Sequence, residues 1–372
     1  MKRILFLIDN FKGGGAEKAI KIIVEGLQEK KYEPVVIVLE NQFDYILNKD
    51  IKMYSLTESI TKYNFIFLGF KLLRLLKQLN PDIIYATNTK AQILSLLTKK
   101  FFKATRIINI QVDLTKQYEG RDYIFNFFNK LLQNTDKFSF ISQGIYENLK
   151  DKIPKKENIF IPNAIDFEEI DSLKKENIKD EYKNIFKKKT FITIGRLTEQ
   201  KGQWVLLEAF SKIKEDVNLV ILGAGEKEKE LKNLVQELDI ENKVFFLGFQ
   251  KNPFKFLYNA DIFVLSSLWE GFGNVIVEAM RCDLPIISTD CPSGPREIIS
   301  PETKVSRYLK DEIERAKFGI LAPVDDSLYL SKAMIELLND DLIQKYKALS
   351  ILRAKDYSKD IVVNNFIKEI LA

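Results

Sequence analysis

The sequence predicts an α/β protein made of two doubly wound domains, each a parallel sheet covered by helices on both faces. Short apolar runs of strand length alternate with amphipathic stretches of helical length along the whole chain. Because parallel strands need helical crossovers, this alternation indicates sheets that are buried on both faces. The scheme occurs in the first half and again in the second, and 372 residues are long for a single hydrophobic core.

Eleven apolar runs are predicted to be buried strands. In the first half these are residues 3–8, 34–39, 82–87, 106–110, 137–142 and 158–163. In the second half they are residues 190–195, 218–223, 243–248, 261–266 and 284–289. Residues 16–30, 91–102 and 355–372 have the pattern of amphipathic helices.

The domain boundary is predicted within residues 163–190, which are highly charged and lack a strand pattern. The first domain is expected to span residues 1–165 and the second residues 166–356, followed by a final helix over residues 357–372. Ligands of open α/β sheets bind at the carboxyl ends of the strands. The loops after the predicted strands are therefore the places where functional residues are expected.

The composition excludes several classes of enzyme. The chain has no histidine and only two cysteines, which removes the usual transition-metal ligands, a disulfide framework and a Ser-His-Asp triad. It also lacks an Asp-x-Asp pair that could hold a divalent ion on a diphosphate. No apolar run has the length of a membrane span, and the N-terminus does not have the pattern of a signal peptide. A cytoplasmic protein is expected.

The first loop of interest follows the first predicted strand, with the sequence DNFKGGGAEKAI. Three consecutive glycines precede a predicted helix, so backbone N–H groups and the helix N-terminus could approach an anion there. The glycines do not have the spacing of the dinucleotide-binding fingerprint. A flexible turn between strand and helix remains the alternative.

The second loop, IGRLTEQKG, has the same position at the start of the second domain. It places Arg196 and Lys201 beside glycines at a strand end. Two fixed cations could stabilise a diphosphate leaving group where no metal is available. Solvated surface charges are the alternative.

The third loop, SLWEGFGNVIVEAM, places Glu270 after a strand and Glu278 eight residues later in a predicted helix. A carboxylate at such a position can accept hydrogen bonds from the vicinal hydroxyls of a ribose. A glutamate favoured by the helix dipole would explain Glu278 alone, but it would not explain Glu270.

These loops together resemble those of the retaining glycosyltransferases of family 4. Glu270 and Glu278 form the E-x7-E signature of that family, and the likeness extends over nearly the whole chain. It includes GGGAEK, IPNAID, ILGAGEKEKELK, FLGFQKN and LPIISTDCPSGPREII, in the same order. The resemblance implies the GT-B fold, two Rossmann-like domains that face each other across a cleft, with the final helix crossing back onto the first domain.

The resemblance also implies residue roles. Gly14 and Gly15 would approach the donor phosphates, Arg196 and Lys201 would bind the diphosphate, and Glu278 would take the ribose hydroxyls. Family members retain the anomeric configuration without a metal ion, and no other cofactor is expected.

In the same way, Glu270 would contact the hydroxyls of the donor sugar. Backbone groups of three residues would lie nearby: Phe272, Gly273 and Asn274. The base would lie near three further residues: Gly225, Phe249 and Asn252.

The sequence departs from the family at one position. Family members commonly have a histidine close to the donor sugar in the first domain, whereas this chain has none. Gln111 is the nearest counterpart by position and is expected to supply the polar contact, with Asp113 close behind.

The acceptor is expected to bind the first domain. Residues 1–165 carry 26 Lys and Arg against 17 Asp and Glu, a net charge of +9, whereas the remainder has a net charge of −4. Three segments of this domain, residues 62–79, 97–106 and 121–137, mix bulky apolar residues with Lys or Arg. They indicate peripheral binding to an anionic inner-membrane surface on its cytoplasmic face. The alternative is that the apolar residues pack on the sheet and the cations face solvent. No nucleic-acid-binding module is recognisable.

The expected function is metal-independent, retaining transfer of a hexose or N-acetylhexosamine from a nucleoside diphosphate sugar, most simply a UDP-sugar. The expected acceptor is a polyprenyl-diphosphate oligosaccharide or a lipopolysaccharide core. Two alternatives remain: a UDP-sugar 2-epimerase, and a non-catalytic sugar-nucleotide-binding partner in glycan assembly. A dehydrogenase is disfavoured because neither half carries the dinucleotide fingerprint.

Overall fold

The computed structural model describes residues 2–61 and 64–371, which form two compact units. Unit 1 comprises Met1–Ile165 and Lys359–Ala372, and unit 2 comprises Asp166–Ser358. Across the described residues, no helix is both long enough and apolar enough to cross a membrane.

Unit 1 is a seven-stranded parallel sheet covered by helices. Its strands are β1 (Ile4–Ile8), β2 (Val35–Glu40), β3 (Lys52–Thr57), β4 (Ile83–Ala86), β5 (Thr105–Ile110), β6 (Lys137–Phe140) and β7 (Glu157–Phe160). Its helices before the boundary are α1 (Gly15–Glu29), α2 (Phe65–Leu79), α3 (Thr89–Thr98), α4 (Leu114–Gln117), α5 (Asp122–Leu132) and α6 (Gln143–Leu149). The strand order β3-β2-β1-β4-β5-β6-β7 reverses direction between β1 and β4, which is where open α/β sheets bind ligands.

Unit 2 repeats this architecture. Its strands are β8 (Thr190–Ile194), β9 (Asn218–Leu222), β10 (Val244–Gly248), β11 (Ile262–Leu265), β12 (Ile286–Thr289), β13 (Glu314–Ala316) and β14 (Gly319–Ala322). Its helices are α7 (Phe167–Leu173), α8 (Asp180–Lys183), α9 (Gln203–Phe210), α10 (Glu228–Glu237), α11 (Phe254–Asn259), α12 (Asn274–Arg281), α13 (Pro295–Ile299), α14 (Ser327–Glu336) and α15 (Asp340–Ala354). The order is β10-β9-β8-β11-β12-β14-β13, and only β13 pairs in the antiparallel direction.

The predicted fold class of two doubly wound α/β domains is confirmed, and all eleven predicted strands are present. Ten agree within two residues at both ends, and β7 ends at Phe160, three residues before its predicted end. Three strands were not predicted: β3, β13 and β14. The strand β3 is an exposed edge strand in which only Leu56 is buried, so it lacks an apolar run. The strands β13 and β14 have three and four residues, too few for a pattern to be visible.

The C-terminal segment is not the single helix predicted over residues 355–372. A 3-10 turn, Lys355–Tyr357, ends at Ser358, whose φ of −62° and ψ of 150° are extended. The last helix, α16, then spans Lys359–Phe366 and ends in a π-turn, Ile367–Leu371.

Helix α16 packs against α1 and completes the core of unit 1. A Cβ atom on Gly26 of α1 would lie 2.6 Å from Val363, so glycine is needed for this close approach. Phe366 stacks on Phe6, with ring centroids 5.7 Å apart, and meets Tyr85 edge-on. The last helix is therefore an integral part of unit 1.

Candidate functional site

Two loops at the carboxyl edge of the unit 2 sheet are bound together by hydrogen bonds. One follows β8 and ends in the 3-10 turn Glu199–Lys201, and the other follows β11. The Leu268 N–H donates to the carbonyl of Gln200 at 2.8 Å, and the Gln200 side-chain amide donates to the carbonyl of Trp269 at 2.9 Å. Ser266 Oγ donates to the carbonyl of Lys201 at 2.9 Å. The loops with the predicted cations and with Glu270 therefore form one unit.

The structure brings Lys201 and Glu270 together. Lys201 Nζ lies 2.5 Å from Glu270 Oε1, and Ser267 Oγ donates to the same oxygen at 2.6 Å. The Glu270 side chain is 8% exposed and that of Lys201 is 17% exposed. A carboxylate is thus held in a nearly dry position by a cation and a hydroxyl, and a ligand that binds either group must compete with this pair.

Arg196 lies on the same loop as Lys201, with its side chain exposed. Its guanidinium forms no ion pair or hydrogen bond within residues 2–61 and 64–371. Its backbone is fixed, since the Gln203 side-chain amide donates to the Arg196 carbonyl at 3.0 Å. The loop therefore offers one free cation beside one paired cation, an arrangement that suits an anionic ligand.

Glu278 lies on α12 at a half-buried position, one turn before Cys282, whereas Glu270 lies on the preceding loop. Gly273 at the start of α12 has a φ of +89°, which favours glycine, and Asn274 is the first helical residue. Phe272 is buried against Tyr357, with ring centroids 5.3 Å apart. The structure thus gives Phe272 a packing role, while its backbone contact with a donor stays a prediction.

Two of the three residues expected near the base have a structural explanation that needs no ligand. A Cβ atom on Gly225 would lie 2.3 Å from the carbonyl oxygen of Leu197, so glycine is needed for backbone packing. Asn252 donates to the Leu173 carbonyl and to Glu176, both at 2.9 Å. Phe249 is 79% exposed. The packing and hydrogen bonds account for Gly225 and Asn252 without a ligand, and the base contacts of all three stay predictions.

In unit 1, a glutamate occupies the N-terminus of α1 where an anion was expected. Gly14 is the N-cap residue and Gly15 the first helical residue. A Cβ atom on Gly14 would lie 1.9 Å from Glu17 Oε2, so the Glu17 carboxylate folds back over this end of the helix. The Asn88 side chain donates to Glu17 Oε1 at 3.0 Å. Glu17 already supplies the negative charge that the helix dipole favours.

Gln111 follows β5 and is oriented by buried polar groups. Its amide nitrogen donates to Asn109 Oδ1 at 2.7 Å and to Thr87 Oγ1 at 3.1 Å. Asn109 in turn donates to the carbonyl of Ser139 at 3.3 Å. Gln111 Oε1 is buried and has no hydrogen-bond partner within the described residues. The amide N–H groups therefore face the sheet, and the oxygen is left as an acceptor.

Asp9, at the carboxyl end of β1, was not singled out from the sequence. Its carboxylate accepts from the Ala91 N–H at 2.7 Å. Burial raises the pKa of Asp9 to about 6, although the Ala91 and Lys90 N–H groups and the Lys90 ammonium oppose that rise. Ser267 was also missed, because the sequence does not show that its hydroxyl reaches Glu270. For Asp9, the signal in the sequence was an aspartate directly after an apolar strand; for Ser267 there was no signal.

Family models match both units. The model described as Glycosyltransferase Family 4 matches residues 13–169, and that described as Glycosyl transferases group 1 matches residues 174–351. A solved Anabaena protein, HepE in complex with UDP, shares the fold: the TM-score is 0.79 at 20% identity, and 99% of both chains is covered.

Two curated relatives are similar over most of their length. An uncharacterized glycosyltransferase of Methanocaldococcus jannaschii is 31% identical, covering 80% of this chain and 81% of its own. The N-acetylgalactosamine-N,N'-diacetylbacillosaminyl-diphospho-undecaprenol 4-alpha-N-acetylgalactosaminyltransferase of Campylobacter jejuni is 28% identical over the full length of both chains. With two Rossmann-like units, two matching family models and these relatives, the chain belongs to the family 4 glycosyltransferases and is an enzyme of the GT-B fold.

Proposed function

We propose that this glycosyltransferase transfers a hexose or N-acetylhexosamine from a UDP-sugar to a lipid-linked or lipopolysaccharide glycan, with retention and without a metal ion. The observation that carries this proposal is the cluster of Lys201, Glu270 and Ser267 beside the unpaired Arg196. It combines cations for a departing diphosphate with a carboxylate that can accept from sugar hydroxyls.

The proposed reaction needs no base from the protein. The acceptor hydroxyl attacks the anomeric carbon on the face from which the UDP departs, and its proton passes to an oxygen of the leaving diphosphate. Arg196 and Lys201 stabilise the charge that develops on that diphosphate. Glu270 accepts from hydroxyls of the donor sugar, and Glu278 accepts from those of the ribose.

Lys201 would change partners during this cycle. Without donor, its ammonium neutralises Glu270, which would otherwise be a buried unpaired charge. When the diphosphate binds, Lys201 turns to the phosphates, and the Glu270 oxygens gain the sugar hydroxyls as donors. Ser267 keeps its hydrogen bond to Glu270 Oε1 throughout and holds the carboxylate in place.

The choice of UDP is supported by the Anabaena structural neighbour, which was solved with UDP. The choice of a lipid-linked acceptor is supported by the Campylobacter relative, whose name specifies a diphospho-undecaprenol acceptor. We also propose that the enzyme works as a peripheral protein on the cytoplasmic face of the inner membrane. The net charge of +9 on residues 1–165 supports this location.

Gln111 is proposed to accept a hydrogen bond from a hydroxyl of the donor sugar, in the place of the family's histidine. The donation of both amide N–H groups to Asn109 and Thr87 supports this role, because Oε1, which is buried, is then the one side-chain atom of Gln111 without a partner within the described residues. Gln111→Ala should lower turnover and leave UDP affinity unchanged. Full turnover in Gln111→Ala would contradict the role, and Gln133→Ala at an exposed position serves as the control.

The first experiment is calorimetric binding of UDP, GDP, ADP and NAD to the purified protein in the presence of a chelator. UDP should bind, and Glu278→Ala should weaken UDP binding about 10- to 100-fold. The ribose hydroxyls would then lose hydrogen bonds to a carboxylate, which are worth about 1.5–3 kcal/mol. The matched control is Glu241→Ala, an exposed glutamate of unit 2, which should bind like the wild type.

Other outcomes distinguish the alternatives. Binding of GDP or ADP instead of UDP would show that the donor carries a different nucleotide from the one proposed. Isomerised sugar nucleotide without any acceptor would identify a 2-epimerase. UDP binding without turnover on lipid extracts would favour a non-catalytic partner, and no nucleotide binding at all would refute the proposed function.

A further inference from the structure

Helix α2 has apolar side chains on two opposite faces, and only one of them is covered. Leu68, Leu72 and Leu76 are buried at spacings of four residues and face the sheet. Ile66, Phe67 and Phe70 lie on the other face. The pattern predicted over residues 62–79 therefore contains an apolar stripe that does not pack on the sheet; residues 62 and 63 lie outside the described part.

Helix α5 repeats this arrangement. Phe128 and Leu132 are buried, whereas Tyr123 and Phe127 are exposed on the outer face. We call Ile66, Phe67, Phe70, Tyr123 and Phe127 the apolar face; these side chains are between 58% and 74% exposed. Several large apolar side chains exposed on two helices that flank α3 are unusual for a free surface.

The two parts of the apolar face belong to one helix layer. Helix α3 packs against both α2 and α5, and Gly69 of α2 lies over Leu94 of α3. Both α2 and α5 run from the carboxyl edge of the sheet to its amino edge, because each follows one parallel strand and precedes the next. The apolar face thus lies toward the carboxyl edge, which also carries Gln111.

The sequence that includes α2 is rich in cations. Between Glu58 and Asp113 the chain has nine Lys and Arg residues and a single acidic residue, Asp82, although Arg106 is buried and Lys99 pairs with Asp136. Arg74 lies four residues after Phe70, and Lys77 three residues after Arg74. These helical spacings place both cations on the same exposed face of α2 as Phe70. A cationic border around exposed aromatic side chains complements the phosphates of an anionic lipid surface.

We propose that the apolar face is the membrane-docking surface of the enzyme: its aromatic side chains enter the headgroup region of an anionic bilayer while Arg74 and Lys77 contact lipid phosphates. This inference rests on the proposed function, which needs an acceptor held in a membrane. Docking through the carboxyl-edge end of the helix layer would bring the acceptor-binding edge of unit 1 close to the membrane surface, where a lipid-linked glycan begins.

The test is sedimentation of the full chain with phosphatidylcholine vesicles, with and without phosphatidylglycerol, at low and high salt. The wild type should bind the phosphatidylglycerol vesicles, and more weakly at high salt. Phe67→Ser/Phe70→Ser should weaken binding about tenfold or more, since two large apolar side chains no longer leave water. The matched control, Leu328→Ser/Leu352→Ser, removes two exposed leucines of unit 2 and should bind like the wild type.

The cationic part is tested in the same assay. Arg74→Gln/Lys77→Gln should weaken binding about 25-fold, from about 1 kcal/mol for each cation near an anionic surface. Its control, Lys214→Gln/Lys229→Gln, makes the same change of charge on exposed residues of unit 2 and should bind like the wild type. Thermal unfolding of each variant verifies that the folds are intact.

Three results would overturn the proposal. The first is a wild type that ignores phosphatidylglycerol vesicles at low salt. The second is Phe67→Ser/Phe70→Ser binding as tightly as the wild type. The third is a dimer in sedimentation velocity that dissociates only in this variant, which would make the apolar face a contact between two copies. UDP calorimetry on the wild type separates the two proposals, because a wild type that binds UDP but does not bind phosphatidylglycerol vesicles refutes the docking surface alone.

Discussion

Replacing Lys201 with methionine should destabilise unit 2, because the change leaves the buried Glu270 carboxylate without its cation. Lys201 Nζ lies 2.5 Å from Glu270 Oε1, and the remaining partner of that oxygen is Ser267 Oγ at 2.6 Å. Methionine keeps the unbranched apolar stem and removes the charge. The perturbation is therefore electrostatic, with little change in packing.

The magnitude follows from the burial of the pair. Removing one partner of a buried ion pair costs about 3–5 kcal/mol. Because 17% of the Lys201 side chain reaches solvent and the Ser267 hydrogen bond remains, we expect a smaller loss than this, about 2–3 kcal/mol. Lys201→Met/Glu270→Gln removes the charge as well and should lose only about 1 kcal/mol, since glutamine can still accept from Ser267.

Urea unfolding followed by tryptophan fluorescence measures this effect in unit 2 alone. The chain has two tryptophans, Trp204 and Trp269, and both belong to unit 2. The control is Lys188→Met, which removes an exposed ion pair with Asp216 at 2.6 Å and should cost less than about 1 kcal/mol. A Lys201→Met variant as stable as this control, or a double variant no more stable than Lys201→Met, would refute the reasoning.

Three further predictions concern unit 1 and the close packing of unit 2. Asp9 keeps its proton up to about pH 6 in the folded protein but loses it from about pH 4 in the unfolded chain. The free energy of unfolding of unit 1 therefore decreases as the pH rises from about 4 through 6. Asp9→Asn should therefore raise the melting temperature more at neutral pH than at about pH 4 in scanning calorimetry; an equal gain at both would contradict this. Glu17→Ala should tighten UDP binding about two- to fivefold if the donor phosphates bind at Gly14 and Gly15, since a carboxylate leaves the helix N-terminus; unchanged calorimetric affinity would place the phosphates elsewhere. Gly223→Ala should destabilise unit 2 by more than about 2 kcal/mol in urea, because its φ is +140° and its Cβ would lie 1.9 Å from the Gly195 carbonyl. Gly248→Ala, which has a positive φ and open space, is the control for backbone strain alone, and an equal loss in both variants would exclude the steric cause.

The buried strands could be predicted from the sequence because parallel strands covered on both faces are continuous apolar runs. The edge strand β3 could not, because only Leu56 is buried in it, and the strands β13 and β14 could not, because they have only three and four residues. The break at Ser358 was also invisible, since the surrounding residues continue a helical pattern. It depends on the tertiary contact in which the Lys359 N–H donates to the Ile165 carbonyl at 3.0 Å.

The candidate site could be predicted as a set of loops but not as a set of contacts. The positions of Lys201 and Glu270 after strands indicated the correct edge of the sheet. Their pairing, and the part played by Ser267, depend on hydrogen bonds between two loops about 70 residues apart in the chain. Likewise, the amphipathic pattern of α2 does not reveal which of its apolar residues are covered, because Phe67 is exposed whereas Leu68, the next residue, is buried.

The discontinuity of unit 1 has a consequence for synthesis on the ribosome. Unit 2 is contiguous from Asp166 to Ser358, so all of its strands can pair as soon as that stretch has emerged. Residues 1–165 of unit 1 emerge before unit 2 but lack Phe366 and the rest of α16 until residues 359–371 have been synthesised. Its nascent form therefore exposes the apolar surface of α1 and the sheet for most of translation, and chaperone dependence should be concentrated in the N-terminal half.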